Sequence, residues 1–414
     1  DSSSPAAGAP VSKALAAPML FVREVDLSGE VAYLDNTFEA PIALTVSRIA
    51  ASAKNVSLTN PFVVTAQAAL FADAPNVSVE AKLQLDLDAA GILFTEARAR
   101  LGLGKISQKD LRESIPMLSV MPVWSILNGQ IDAEAARIKI GGGALVALEA
   151  TAKLTQGELA FKDIPLSLGA IKAQLQATAT QVDIQEFSAE LGGGRITGSG
   201  SLKDYLSSPS YAGTVTMSDV KAQEFFDQSA WPAKGEGVLN GTVRIQGRGF
   251  DPQDALRQLG GEGRLDVSEA KVKDFNALAF ILGKITVLPD VVGRVEASLP
   301  ERFKQKLTQV DTPLTSLRSG LVITNGALRL DPIVVAADEF SFEAKGSVGF
   351  DSSLDISGSF SIPPDLSTSM IAGVPELKYL MDLRNRISLP VSAKGRAGVV
   401  SVSVDAGDLA KRVL

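Results

Sequence analysis

Between Leu354 and Ile362 every second residue is apolar. Leu354, Ile356, Gly358, Phe360 and Ile362 alternate with Asp355, Ser357, Ser359 and Ser361. That period is the mark of a strand with one apolar and one wet face, since successive side chains leave a strand on opposite sides. The pattern recurs. Phe340, Phe342 and Ala344 alternate with Ser341, Glu343 and Lys345. Val77, Val79, Ala81, Leu83, Leu85 and Leu87 alternate with Ser78, Glu80, Lys82, Gln84 and Asp86, in the cleanest run of the chain. Ile171, Ala173, Leu175, Ala177 and Ala179 make another such face. Leu321 and Ile323 lead into Asn325-Gly326, and Leu328 and Leu330 follow. An Asn-Gly pair between two apolar-periodic runs predicts a tight hairpin, because a type I′ turn needs two residues at positive φ.

These runs predict a mainly β fold of roughly twenty or more strands in meanders, with a few helices inserted. Gly141-Gly-Gly and Gly192-Gly-Gly fall between runs and read as turns or bulges. Helical spacing is expected in four places. Residues 108–128 hold Leu111, Ile115, Leu118, Trp124 and Leu127, interrupted by Pro116 and Pro122. Such a unit could cover a sheet edge or groove mouth, or simply fill a core. Residues 252–259 read as a short helix with Asp251 as N-cap and Pro252 in its first turn. Residues 274–307 carry an apolar face of Phe275, Leu278, Leu282 and Ile285, then a short charged piece. Residues 365–385 read as an interrupted helix, Ile387–Val391 and Val399–Val404 as strands, and Asp405–Leu414 as a last turn. At about 4.8 Å per strand, twenty strands in one ribbon span on the order of 95 Å. A twisted open sheet of that size curls, splits into layers or bends into a trough. The expected architecture is therefore an elongated, curled antiparallel sheet forming a groove.

Composition narrows what such a sheet can do. Of the 414 residues 45% are hydrophobic but only 6% aromatic. Mean hydropathy is +0.17, yet no run reaches the 18 or so apolar residues of a membrane span. The aliphatics must enter a large ordinary core or line a sheltered surface. The chain has no cysteine and no histidine. It therefore lacks disulfides, thiol nucleophiles, the commonest general base and the commonest transition-metal ligand. A net charge of −7 argues against a nucleic-acid partner, which calls for a basic stripe.

Motifs for chemistry are missing. Gly102-Leu-Gly-Lys105 is followed by Ile106 where a phosphate loop needs Ser or Thr. The acidic residues are scattered on alternate strand positions and suggest neither a carboxylate pair nor a calcium loop. Ser is abundant, but the familiar triad is unavailable without His. The Arg98–Lys105 and Arg302–Lys306 clusters could touch lipid headgroups or form solvated faces. No cofactor is expected.

One stretch resembles a known family. Gly235-Glu-Gly-Val-Leu-Asn-Gly-Thr-Val-Arg-Ile-Gln-Gly-Arg-Gly-Phe-Asp-Pro is followed by Leu256–Leu259 and by Gly261-Glu-Gly-Arg-Leu-Asp-Val. Thr312-Pro-Leu-Thr-Ser-Leu-Arg-Ser-Gly-Leu-Val-Ile-Thr-Asn-Gly-Ala-Leu-Arg-Leu comes later. This order resembles the C-terminal region of the AsmA family, large envelope proteins of Gram-negative-type bacteria. The likeness covers roughly Gly235–Gly358. It is looser over Phe21–Tyr205, where Gly192-Gly-Gly-Arg-Ile-Thr-Gly-Ser-Gly-Ser-Leu looks like a recurrent strand-pair motif of the family. The motifs are mostly spacings of Gly and aliphatics, so they specify architecture better than any site. The resemblance implies a repeating β-groove that carries phospholipid between inner and outer membranes. It also implies a periplasmic location and an N-terminal membrane helix outside this sequence. Asp1–Pro18, rich in Ser, Ala and Pro, reads by its composition as a disordered tether. Residues 19–205 form one groove segment and 206–414 the AsmA-like one.

The residues expected to line the groove are Val79, Leu83, Leu85, Leu175, Leu321, Ile323, Phe342, Leu354, Ile356 and Phe360. Their role is contact with acyl chains rather than catalysis, and core packing is the competing reading for each. The expected partners are phospholipids, the inner or outer membrane and other envelope proteins. The alternative function is a structural or assembly factor for outer-membrane biogenesis that binds through its sheet edges. A hydrolase on a β scaffold is the third reading, disfavoured by the missing site.

Overall fold

A computed structural model of the chain describes residues 21–35, 42–87, 90–115, 123–162, 167–226, 234–249, 255–284, 290–396 and 399–404. The expected tether, the last turn after Val404, the helix start at Asp251-Pro252, and Pro116, Pro122 and Ile285 lie outside the described residues.

The first half of the sheet holds β1 (Phe21–Asp35), β2 (Ile42–Ser57), β3 (Phe62–Leu70), β4 (Val77–Asp86), β5 (Gly91–Gly102), β6 (Trp124–Gly141), β7 (Ala144–Phe161), β8 (Ser167–Thr178), β9 (Gln181–Leu191) and β10 (Gly194–Lys203). The second half holds β11 (Ser210–Lys221), β12 (Lys234–Arg248), β13 (Gly260–Lys273), β14 (Thr312–Pro313), β15 (Ser316–Thr324), β16 (Ala327–Ala336), β17 (Ser341–Gly349), β18 (Ser353–Ile362), β19 (Ile387–Arg396) and β20 (Val399–Val404). Together they make one antiparallel sheet of 20 strands. Each strand pairs with its neighbour in the chain, except that β13 pairs with both the two-residue β14 and β15. β1 and β20 form the two edges and do not pair with each other, so the sheet is open. It runs without a break through residues 203–210, where β10 pairs with β11. The division expected near residue 205 is thus a turn inside one sheet.

The turns follow from residue type. Gly142-Gly143, Gly192-Gly193 and Asn325-Gly326 each join two strands with both central residues at positive φ, the geometry a type I′ hairpin needs. Elsewhere the ladder is bent by bulges. Arg48, Glu96, Gln156, Ala170, Asp219 and Glu269 sit inside strands at positive φ where the register shifts or the ladder is interrupted. Bulges of this kind raise local twist and bend a strand, and a sheet this long must curl.

Because neighbouring strands are antiparallel, connections alternate between two rims. One rim carries almost all the helices. It holds α1 (Gln108–Ser114) after β5, and α2 (Gln223–Phe226) after β11. It also holds α4 (Ala277–Gly283), α5 (Val291–Ser298) and α6 (Glu301–Thr308) after β13, and α7 (Pro364–Gly373) with the 3-10 turn Pro375–Leu380 after β18. Among the described residues only the short α3 (Ala255–Gln258) sits on the other rim. The helix expected to reach residue 128 stops sooner. Trp124 already belongs to β6, whose first residues pair with Glu158–Phe161. Pairing with β7 overrides the weak helical spacing there.

The main core cluster lies at the C-terminal end. Leu278 and Leu282 of α4, Val295 of α5, Met370 of α7 and Leu377 and Leu380 of the 3-10 turn pack onto Phe360, Ile362, Ile387 and Leu389 of the sheet. Phe340 stacks on Phe360 with ring centroids 4.6 Å apart. Asn276 caps α4 by accepting from the Ala279 amide at 2.9 Å, and its Nδ2 donates to the Lys306, Leu307 and Gln309 carbonyls at the end of α6. Ser367, fully buried, donates to the Ile362 carbonyl and accepts from the Ile387 amide, both at 2.9 Å. These bonds pin the helices to the ends of β18 and β19 as a cap.

Candidate functional site: the continuous apolar face

Directly paired residues of an antiparallel sheet share a face, so the register can be followed across the whole molecule. One row begins at Leu27 and runs through Ala51, Ala66, Val79 and Ala99 to Ala133. It continues through Ala152, Leu175, Ile184, Gly200 and Gly213 to Ile245. It ends through Gly261, Ile323, Leu328, Val348, Leu354 and Gly395 at Val400. The row passes from one edge strand to the other, and every member is aliphatic, alanine or glycine. A second row lies beside it. It includes Val77, Leu101, Ile131, Leu154, Phe187, Val215, Leu321, Leu330, Ile356 and Val402, and is apolar throughout.

All ten residues expected to line a groove fall on this face. Val79, Leu175, Ile323 and Leu354 belong to the first row, Leu321 and Ile356 to the second. Leu83 and Leu85 pair with Phe94 and Ile92 nearer the rim that α3 follows. Phe342 and Phe360 pair with each other at the opposite rim, beneath the helical cap. Phe360 is only 3% exposed and belongs to the core cluster, and Phe342 packs against it. Those two are therefore part of the capped end rather than of an open wall. The other row members are not visible as a set in the sequence. A bulge shifts the parity of its strand, and only pairing shows which alanines and glycines stand in line.

The apolar face is sheltered but, away from the cap, not covered. Val79 and Ile184 are each 37% exposed, and most other row members are half-buried. A second sheet packed on this face would bury them. Ala81, Ala97 and Ala135, at the centre of their strands, are buried by Phe94, Ile138 and Ala150 of the same face. Residues on the opposite face at the same level, Glu80, Arg98 and Glu134, are exposed. Side chains crowd together on the inside of a curl and spread on its outside, so the apolar face is the inner one.

The outer face holds the charges. Among the described residues every ion pair between strands lies there. Examples are Glu24 with Lys54 at 3.8 Å, Arg100 with Asp132 at 2.8 Å, Arg318 with Asp266 at 3.2 Å and Lys394 with Asp355 at 3.1 Å. Glu236 is held between Lys271 and Lys273. Hydrogen bonds from Arg100 and then Gln130 hold the Asp132 carboxyl below the ordinary carboxylate range. Exposed pairs like these add little stability, but they keep the outside wet and fix which face is which. A hollow of about 730 Å³ crosses β1 to β6. Most of its lining, including Glu80, Arg98, Arg100, Asp132 and Glu134, belongs to this polar face. The rest is Leu27, Ala51, Ala66, Val79, Ala99 and Ala133, the first six members of the row, each flanked along its strand by these more polar neighbours.

Among the described residues no group of acidic side chains could hold a metal ion, and no helix is long and apolar enough to cross a membrane. The chain matches no protein-family profile, no curated protein and no solved structure.

Proposed function

We propose that the inner face is a track for lipid acyl chains and that the protein is a non-enzymatic lipid carrier. The observation that carries this reading is the unbroken apolar row from Leu27 to Val400. At about 4.8 Å per strand the row spans on the order of 85–90 Å. Burying a methylene is worth about 0.8 kcal/mol. Along a uniform row an acyl chain regains ahead of it the burial it gives up behind, so it can slide without a deep trap. The headgroup stays in water beyond the open side of the curl. The resemblance of Gly235–Gly358 to the AsmA family adds the setting: phospholipid moving through a bacterial envelope between inner and outer membranes.

Mass spectrometry of lipids extracted from the purified protein tests this. Phospholipid at a fixed ratio to protein is the expected result, together with transfer of a fluorescent phospholipid between two vesicle populations. Lipid-free protein that moves none would overturn the reading and leave an assembly factor acting through protein contacts.

A further inference from the structure

β1 is a fifteen-residue edge strand without proline, and among the described residues it pairs with β2 alone, so shortness, proline and a covering strand, three usual protections of an edge, are missing there. Its inner-face residues Leu27 and Val31 are 65% and 56% exposed. Its outer face carries Glu24, Asp26 and Glu30. At strand boundaries inside the sheet, acid on one strand is answered by base on the next, as in Arg98 with Glu134, Arg244 with Glu262 and Arg318 with Asp266. At β1 only Glu24 is answered, by Lys54 of β2. Asp26 and Glu30 have no cationic partner among the described residues.

We infer that the free edge of β1 receives an extended strand of another polypeptide, antiparallel to it, with aliphatic residues on one face and Lys or Arg on the other. Backbone pairing would supply affinity, and the alternating side chains register. The visitor's aliphatics would carry the inner row past Leu27, and its bases would meet Asp26 and Glu30. Other occupants fit worse. A second copy of β1 would set acid against acid, which is unfavourable for residues directly opposite. β20 of a second copy offers Val399, Ser401 and Ser403 on its outer face, without a base. Residues 1–20 contain one base, Lys13, and three prolines, which suit a ladder poorly.

The test is amide hydrogen exchange of the full chain with three synthetic peptides as long as β1. One alternates valine with lysine, one alternates valine with glutamate, and the third is the lysine peptide N-methylated along its pairing edge. The lysine peptide is expected to slow exchange across Phe21–Asp35 at least roughly tenfold, leaving β9 and β10 unchanged, and the other two are not. Asp26→Lys with Glu30→Lys, both exposed positions, should reverse the preference between the charged peptides. No protection of β1, equal protection by the N-methylated peptide, or an unchanged preference in the double variant would each overturn the inference. Lipid content plays no part in the readout, so its outcome is independent of the acyl-chain reading.

Discussion

Leu354 and Phe360 lie on the same face of β18, six residues apart, yet Leu354 is half-buried on the uncovered row while Phe360 is 3% exposed beneath the helical cap. The two positions should therefore fail differently. Phe360→Ala is expected to cost about 3–5 kcal/mol, because it empties a packed site. Leu354→Glu should cost about 1 kcal/mol or less but reduce phospholipid transfer roughly tenfold or more, since a carboxylate on the track desolvates as a chain passes. Denaturant unfolding and vesicle transfer measured on both variants separate a wall residue from a core residue. Slow transfer by a fully folded Phe360→Ala, with normal transfer by Leu354→Glu, would reverse the assignment.

Val79→Glu and Ile184→Glu extend the argument to the first half of the sheet. Both side chains are 37% exposed, so charge is tolerated in the fold. The double variant should purify folded, with lipid content well below that of the parent. Unchanged lipid content in the folded double variant counts against the track.

The cap offers a test of sign. Alanine in place of glycine in a helix usually gains up to about 1 kcal/mol. At Gly283, the end of α4, a Cβ meets nothing within 4 Å, and Gly283→Ala should stabilise. At Gly373, the end of α7, a Cβ would run into Ser298 Oγ and approach the Arg294 carbonyl of α5. Gly373→Ala should destabilise by about 1–3 kcal/mol. Thermal melts of the pair check that the shifts are opposite.

Ser367 lies at the junction of cap and sheet with no exposed surface. Ser367→Ala removes the hydroxyl from the Ile362 carbonyl and the Ile387 amide. A cost of about 1–3 kcal/mol is expected from groups left underbonded. Exchange at the Ile387 amide should speed up more than exchange in β9.

Acid should loosen the same region. Burial pushes the Asp382 carboxyl up, but bonds from the Arg386 amide and guanidinium and the Arg384 amide outweigh it and hold it below its ordinary value. Glu376 is held down first by its own backbone amide; burial pushes it back up, and the charge and hydrogen bond of Arg294, 3.1 Å away, draw it down again, leaving it below its ordinary value. A depressed carboxylate contributes stability above its unfolded value, about 4, and loses it as pH falls through the lower folded value. Stability should fall with acidification below about pH 4, and Asp382→Asn should flatten that slope. A slope unchanged by the substitution would remove Asp382 from the account.

Much of the architecture can be read from residues alone. The alternation over Val77–Asp86 gives β4 over the same span, and Asn325-Gly326 gives its hairpin with both residues at positive φ. Harder to read are the bulges at Arg48, Glu96 and Gln156, since nothing in their local sequence marks them. Each shifts the parity of its strand, so the row joining Val79 to Leu354 emerges only from pairing. Phe360 and Ile362 continue the alternation of Leu354 and Ile356 unchanged. Their burial depends on helices that come from segments before and after their strand. Local periodicity reports which face a side chain takes, but not what lies over it.

A sheet in which each strand leans on its chain neighbours is also adjustable in length. Deleting one whole hairpin would shorten the molecule by about 10 Å, leave every helix on its own rim and keep greasy and wet sides in phase. Deleting a single strand would send all later insertions to the wrong border. Evolution can therefore resize such a sheet two strands at a time, as a builder adds paired sections to a ladder.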